Sequence, residues 1–343
     1  MRLPQLVASV GRALRAAGTP ARGETLVAAL SGGADSVALV DALALLSRPR
    51  GFRLVAAHLD HRLRPGSAED AAFCAELCRR LGVALRLGAA DVRARAERER
   101  GGLEQAARRE RYLFLRAVRE QEQAAAIALA HTQDDQAETL LLQLLRGAGA
   151  QGLGAMRARS GDLLRPLLGL SREQVLAHLR ERSLPWREDP TNADPALRRN
   201  RVRHELLPYL EQRFNPRVRA ALARTASLLA DEAALVRAEA QGLLARIGRE
   251  REQGFALRRA GLAQAPPALA RAALRQALAA RGGLRQVGAA HVERALRLAC
   301  SPGSPGRRVP LPGGRQARVT REELVIESRP LAGTKAVSSR GKA

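Results

Sequence analysis

Chemistry concentrates first in six residues, Ser31-Gly32-Gly33-Ala34-Asp35-Ser36. Two adjacent glycines let a backbone approach a ligand closely and present consecutive amides. The stretch follows an apolar run and opens a helical pattern, so its amides sit at the positive end of a helix dipole, a position suited to a phosphate group. A tight strand-to-helix turn with a serine or aspartate cap explains the same glycines without a ligand. A second segment, Ala57-His58-Leu59-Asp60-His61, ends another apolar run. His58 and Asp60 there could meet an adenine or ribose or hold Mg2+, or simply finish a strand. The third is Ala130-His131-Thr132-Gln133-Asp134-Asp135-Gln136-Ala137-Glu138-Thr139. Asp135, Glu138 and Thr139 share one helical face by their i, i+3, i+4 spacing, and carboxylates on one face can hold Mg2+ or position an amine. Helix capping is enough to explain Asp134. Asp135 and Glu138 read as functional, because a matching strand end carries the glycine loop.

Basic segments follow. Ala107-Arg108-Arg109-Glu110-Arg111-Tyr112 reads by itself as a charged helix face. Arg165-Pro166-Leu167-Leu168 and Glu188-Asp189-Pro190-Thr191-Asn192 are a strand end and an Asx-type turn. Arg199-Asn200-Arg201-Val202-Arg203-His204-Glu205-Leu206-Leu207-Pro208 is a basic helix. From Arg198 to Arg224 eight arginines stand against Glu205 and Glu211, an electrostatic footprint for RNA phosphates. There is no GxxxxGK[ST] and no lysine before Lys335. That excludes a Walker-type loop and a ligase that stores AMP on a lysine of the folded body.

The elements that must position these groups alternate. Thr25–Leu30, Arg53–Leu59, Val83–Leu87 and Ala124–Ala130 read as buried strands. Ser36–Leu46, Ala68–Leu81, Leu103–Glu120 and Asp135–Arg146 read as helices. Such alternation predicts a doubly wound α/β domain, a parallel sheet covered on both faces, with its ligand at the carboxyl ends of the strands. Ser171–Arg182 is a capped helix, Leu184–Pro195 is turn-rich, and a basic helix begins near Leu197. Asp231–Leu298 reads as helical, Ser301–Gly314 as a Pro/Gly-rich turn region, and Gln316–Glu327 as one or two short strands. The expected organisation is a domain over residues 1–215, a smaller and mostly helical second domain over 216–330, and a disordered tail over 331–343. The boundary falls at the turn signal Asn215–Pro216.

Composition narrows the class. With 343 residues and 46% hydrophobic content the chain can bury two cores. Aromatics are only 2%, so leucine, alanine and valine must build them. No apolar run reaches the ~20 residues that span a bilayer, and the amphipathic start of the chain does not read as a signal peptide. Cys74, Cys78 and Cys300 are too few for a disulfide framework and point to a reducing, cytoplasmic compartment. Cys74 and Cys78, four apart on a helix, read as a buried apolar pair rather than half of a metal site. A net charge of +24 points to a polyanion, and without membrane signals to nucleic acid.

In order and spacing these motifs resemble one family. The first resembles the SGGxDS pyrophosphate loop of the ATP pyrophosphatase (PP-loop) superfamily, whose members split ATP into AMP and pyrophosphate and adenylate an oxygen of the substrate. HxDH, ARxxRY, DDxxET, RGxGxxGLxGM (here Arg146 to Met156), RPLL, EDxxN and RNxxRxxLLP then resemble the tRNA(Ile)-lysidine synthases over about Leu26 to Pro208. Gly306–Gly314 is a weaker echo of a second family domain. Longer members carry a further C-terminal domain, for which this chain ends too soon.

The resemblance implies ATP, Mg2+, free L-lysine and the CAU-anticodon isoleucine tRNA. ATP would adenylate the wobble cytidine, and lysine would displace AMP to give lysidine. Ser31, Gly32, Gly33, Ala34, Asp35, Ser36, His58 and Asp60 would bind ATP. Asp35 and Asp135 would hold the metal. Asp35, Arg108, Asp135 and Glu138 would be catalytic, and Arg199, Asn200 and Arg203 would meet the tRNA. A homodimer is left open. Three other readings stand beside it. A tRNA-thiolating relative would be expected to use cysteines near the site. An NAD- or GMP-synthetase-like enzyme has no need of +24, and a non-catalytic RNA-binding protein leaves the SGGADS loop unexplained.

Overall fold

The computed structural model describes residues 4–62, 66–99, 102–188, 197–252, 254–280, 283–284 and 286–328. The Asp189–Asn192 part of the EDxxN turn and the tail expected over 331–343 lie outside the described residues. Two compact units divide at Ala230–Asp231.

The first unit contains strands β1 (Thr25–Ala29), β2 (Arg53–Asp60), β3 (Ala84–Ala89), β4 (Ala126–Ala128), β5 (Arg159–Ser160) and β6 (Leu163–Leu164). They form one sheet of order β3-β2-β1-β4-β6-β5. All its pairings are parallel except β5 with β6. Strand residues alternate between two cores, as the pleat requires. Leu26 and Ala28 of β1, with Ala126 and Ala128 of β4, pack into a large cluster beneath α1 (Gln5–Ala16), α2 (Ala34–Arg50), α3 (Ser67–Leu81) and α8 (Arg172–Glu181). Val27 and Ile127 turn the other way, against Leu115 and Val118 of α5 (Leu103–Gln121). Burial on both faces is why these strands read as continuous apolar runs.

The short helix α4 (Val92–Glu99) has no counterpart in the sequence reading. α6 (Gln133–Leu144) and α7 (Ala150–Leu153) follow β4. α9 (Arg198–Arg201) runs through a π turn (Val202–Leu206) into α10 (Leu207–Arg213). Val202 and Leu207 join Ala137 and Leu141 of α6 in a small cluster of their own.

Strand order reverses beside β1: β2 and β3 lie on one side of it and β4 on the other. The carboxyl ends of β1 and β4 thus flank the switch point, where doubly wound sheets take their ligands. The glycine loop and the His131–Thr139 segment leave from those two ends.

Residues 214–217 do form a turn, but the next helix, α11 (Val218–Ile247), continues past the division between the units. The second unit holds α12 (Arg259–Gln264), α13 (Pro267–Ala280), α14 (Ala289–Cys300) and an antiparallel sheet of order β7-β8-β11-β10-β9. β10 (Arg315–Val319) and β11 (Glu323–Ser328) fall where one or two strands were expected, while β9 (Arg308–Leu311) corrects part of the stretch expected to be a turn region. β7 (Gly248–Arg251) and β8 (Gly254–Arg258) correct the helical reading of Asp231–Leu298. Leu257 and Ile326 of the sheet pack with Leu274, Val292 and Leu296 of the helices in one core.

Candidate active site

The glycine loop is braced by its own last residue. The Ser36 hydroxyl accepts from the Ser31 amide at 3.1 Å and donates to the Gly33 carbonyl at 2.8 Å. Gly32 lies at φ +86°, a left-handed conformation that disfavours any side chain. Arg187 donates its amide to the Gly32 carbonyl at 3.0 Å. Gly33 is the N-cap of α2 and no side chain caps this helix. α6 differs, because Thr132 and Asp135 close a capping box over its start. The first-turn amides of α2, around Ala34 and Asp35, therefore retain the anion-binding capacity that α6 has satisfied internally.

Four carboxylates gather opposite. Asp35 and Glu138 line one cavity of about 270 Å3 with Thr132, Asp134, Arg172, Arg203, His204 and Arg219. Each carboxylate meets a guanidinium. Asp35 Oδ2 accepts from Arg172 at 2.8 Å. Asp134 accepts from the Arg172 amide at 2.8 Å and from Arg219 at 3.1 Å. Asp135 Oδ2 closes the cap while its Oδ1 accepts from Arg199 at 2.8 Å. Glu138, fully buried, accepts from Arg199 at 2.7 Å and from Arg203 at 2.5 Å.

One acidic oxygen is left over. Asp35 Oδ1 is buried and has no hydrogen-bond partner among the described residues. Burial pushes the Asp35 carboxyl up to about 6, with nearby Asp135 and Asp134 adding to the rise and Arg172 and Arg203 opposing it. Burial acts against Asp135 too, yet Arg199, the Thr132 amide and Arg203 hold it below its ordinary value. His131 stands beside Asp135. Burial, with Arg165, Arg111 and Arg199 nearby, depresses its imidazole to about 4, so it is neutral at pH 7, and its buried Nδ1 has no hydrogen-bond partner among the described residues.

The remaining expected residues fall in distinct places. His58 is buried, its Nδ1 at 2.9 Å from the Leu30 carbonyl and 3.4 Å from Cys74 Sγ, while its Nε2 has no partner among the described residues. Asp60 ends β2 by accepting the Arg62 amide at 2.8 Å. Arg108 is exposed and stacks on Tyr112, 5.1 Å from the ring centroid. The neighbouring Arg111 is the one that turns inward, where burial and the charges of Arg108 and Arg199 lower its pKa.

Arg199 and Arg203, expected to meet the tRNA, pair here with carboxylates: their guanidiniums neutralise Asp135 and the buried Glu138. Asn200, expected beside them at the tRNA, is buried. Asp135, expected to hold the metal, is engaged by two guanidiniums and a helix cap, which a cation there would have to displace. Among the described residues no group of three or more acidic, His or Cys side chains could hold a metal by itself. Mg2+ commonly takes only one or two carboxylates and completes its shell with substrate phosphates and water. The free Oδ1 of Asp35, on the phosphate loop itself, fits that pattern.

Arg172 and Arg219 were not foreseen from the sequence. Arg172 carried a local signal: a cation in the first turn of a helix opposes the dipole and needs an anion beside it.

Comparison with known proteins identifies the family. Residues 6–210 match a family described as a PP-loop domain, and residues 257–325 match the TilS substrate binding domain. The chain is 44% identical over 290 residues to the tRNA(Ile)-lysidine synthase of Geobacter sulfurreducens, covering 83% of this chain and 61% of that protein. It is 45% identical over 296 residues to the enzyme of that name from Thermus thermophilus, covering 86% of this chain and 55% of that one. For that of Thermobifida fusca the identity is 41% over 328 residues, with 93% and 96% covered. The chain thus spans little more than half the length of the first two relatives. Among solved structures, the U34-tRNA thiolase NcsA of Methanococcus maripaludis, with its [4Fe-4S] cluster, superposes with a TM-score of 0.53 at 16% identity over 66% of this chain and 79% of that one. At that identity the likeness is one of fold. No helix among the described residues is long and apolar enough to cross a membrane.

Proposed function

Since the chain belongs to the tRNA(Ile)-lysidine synthase family, we propose that it ligates free lysine to the wobble cytidine of the CAU-anticodon isoleucine tRNA, using ATP. The observation that carries the reading is the cavity of mixed charge, closed on one side by the uncapped start of α2. The loop amides suit the phosphates of ATP. Carboxylates and guanidiniums side by side suit an amino acid whose carboxylate, α-amine and ε-amine must all find partners.

The reaction has two displacements. O2 of the cytidine ring bonds to the α-phosphorus of ATP as the α–β bridging bond breaks and pyrophosphate leaves. The lysine ε-amine, as the free base, then bonds to ring C2; the C2–O bond breaks, AMP departs, and the nitrogen loses a proton. Mg2+ bound at Asp35 would supply charge neutralisation for the leaving pyrophosphate. Arg172, released from Asp35, is within the same cavity to meet phosphate oxygens. Glu138 and Asp135 act by fixing Arg199 and Arg203 rather than as bare charges. A single-stranded anticodon loop can offer an unstacked base to such a pocket.

The thiolation alternative loses support at the cysteines. Burial pushes Cys74 up to about 12 and Cys78 up to about 11, so neither supplies a thiolate. The test is mass analysis of nucleosides from an unmodified isoleucine tRNA transcript incubated with protein, ATP, Mg2+ and labelled lysine. One lysine per wobble cytidine, with equal AMP and pyrophosphate, is expected. AMP release without lysine incorporation overturns the proposal.

A further inference from the structure

The helices that hold the carboxylates also wall a second cavity, of about 640 Å3, on another face. Arg198, Val202, Glu205 and Tyr209 line it at near-helical spacing along α9, the π turn and α10. Arg199 and Arg203, one position further along, turn instead to Glu138. The floor is apolar, made by Leu142, Val202 and Leu206. At its edge Leu145 is 71% exposed, and Tyr209, whose ring meets Phe214 edge-on at 5.8 Å between centroids, is 54% exposed, apolar surface of the kind that marks an interaction site.

The rim is cationic. Neither Arg146 nor Arg198 forms an ion pair with any described residue. Among the described residues Arg201 meets only Glu205, at 3.4 Å, in a pair whose members are both more than half exposed and which contributes little. A second copy of this chain, itself at +24, would be repelled here. A peptide would cover the floor but leave the guanidiniums unexplained. Single-stranded RNA uses both parts, base faces on apolar and aromatic side chains and phosphates on arginines. The volume lies within the ~300–1,000 Å3 typical of small-ligand sites, room for an unstacked base.

We propose that this groove binds an unstacked nucleotide of the tRNA anticodon loop beside the wobble position, its base on Tyr209 and the leucine floor and its phosphates on Arg146, Arg198 and Arg201. The inference rests on the tRNA reading above and adds a separate binding surface to it. It also answers which cations meet the RNA, since Arg199 and Arg203 are engaged by carboxylates.

Fluorescence anisotropy with a labelled CAU anticodon stem-loop, without ATP or lysine, tests this across a salt series on the full chain. Arg146→Ala/Arg198→Ala should weaken binding about tenfold or more and flatten the slope of log affinity against log salt by ~0.7 for each phosphate no longer neutralised. Tyr209→Ala should weaken binding about tenfold with an unchanged slope, and Tyr209→Phe should restore it, because the loss is of stacking. A charge-matched control, Arg48→Ala/Arg80→Ala, on exposed helix ends, should change affinity by less than about twofold. Melting temperatures read alongside identify any unfolded variant, and Arg146→Gln/Arg198→Gln then takes its place. The proposal falls if the groove pair behaves as the control pair does. It falls also if Tyr209→Ala binds like the wild type, or if the groove variants keep RNA affinity while losing a co-purifying protein. Groove-dependent RNA binding without lysine incorporation would uphold the groove and overturn the reaction; the reverse pattern would overturn the groove alone.

Discussion

Asp35 and Asp41 lie less than two turns apart on α2, and their surroundings drive them in opposite directions. Asp41 is fully buried, yet both its oxygens are satisfied: His178 stands at 2.9 Å and the Arg182 guanidinium bonds each oxygen at 3.1 Å. Burial opposes its charge, but these bonds hold its pKa below the ordinary value. Asp35 is less buried and has one charged partner, Arg172, and one bare oxygen, and it rises to about 6. Burial alone does not set the direction; the count of satisfied oxygens does. A closed cluster ties α2 to α8. The other leaves Asp35 Oδ1 without a hydrogen-bond partner among the described residues, the kind of perturbed carboxyl that marks a candidate functional acid.

The largest effect that would break this comparison is on activity. Asp35→Asn should lower AMP formation by about 10³-fold or more, the scale of a lost electrostatic group at a reacting phosphate. The variant should melt no lower than the wild type. An acid raised from 3.8 to about 6 opposes folding when ionised, by up to roughly 3 kcal/mol for this partly exposed group. The folded state holds the proton more tightly than the unfolded chain, so Asp35 favours folding below pH 4 and loses that contribution as pH rises through about 6. Wild type and Asp35→Asn should therefore diverge in stability between those values and run parallel above them. Wild-type turnover in the variant would remove Asp35 from the mechanism.

Asp41→Asn should do the reverse. Breaking a buried charge pair costs about 3–5 kcal/mol, so the urea midpoint should fall while the KM for ATP stays put. Its pKa is lowered on folding, so its contribution is present above the ordinary value near 3.8 and disappears as pH falls through the folded one. A neutral effect on stability would mean that the closed cluster is dispensable.

Arg203→Ala comes next. Glu138 keeps Arg199, so the loss should be about 2 kcal/mol, the cost of an under-satisfied buried acceptor. The salt slope for RNA binding should not move. A slope flattened by roughly 0.7 to 0.9 would restore Arg203 as a phosphate ligand.

How far such roles can be read without a structure differs between the two regions. The glycine loop and the strands were legible because their signals are local: paired glycines after an apolar run, and two-face burial in Leu26–Ala28 that leaves no polar alternation. α4 was missed because its buried face is only Val92 and Ala96 amid charged residues. β7 and β8 were missed because Phe255 and Leu257 are too few to outweigh alanine- and arginine-rich flanks; β11, far along the chain, completes that sheet. Ion-pair partners are the least legible feature. Arg172 meets Asp35 across 137 positions, and nothing in a basic run says whether its arginines face outward. The i, i+4 spacing of Arg199 and Arg203 does match the i, i+3 spacing of Asp135 and Glu138, a complementarity visible only once the two helices are known to touch.

The smallest effect separates nearness to the site from a role in it. Cys74 lies under the phosphate loop, 3.4 Å from His58, and its Sγ would be 3.6 Å from a side chain added at Gly32. By position it belongs with Asp35; by satisfaction it belongs with Asp41, as a buried group with an ordinary packing role. Its thiol is pushed up to about 12 by burial, with Cys78 and Asp70 adding to the rise. Cys78 is buried likewise, and Cys300 is exposed on the second unit. A buried thiol with so little thiolate is a poor nucleophile for persulfide chemistry. The Cys74→Ala, Cys78→Ala, Cys300→Ala triple variant should therefore keep labelled-lysine incorporation at the wild-type rate. It should lose only about 1 kcal/mol of stability for each buried thiol, the scale of a small cavity in an adaptable core. If the wild type incorporates no lysine, and a sulfur donor instead yields a product that the triple variant cannot make, Cys74 moves to the functional side and the chemistry is thiolation.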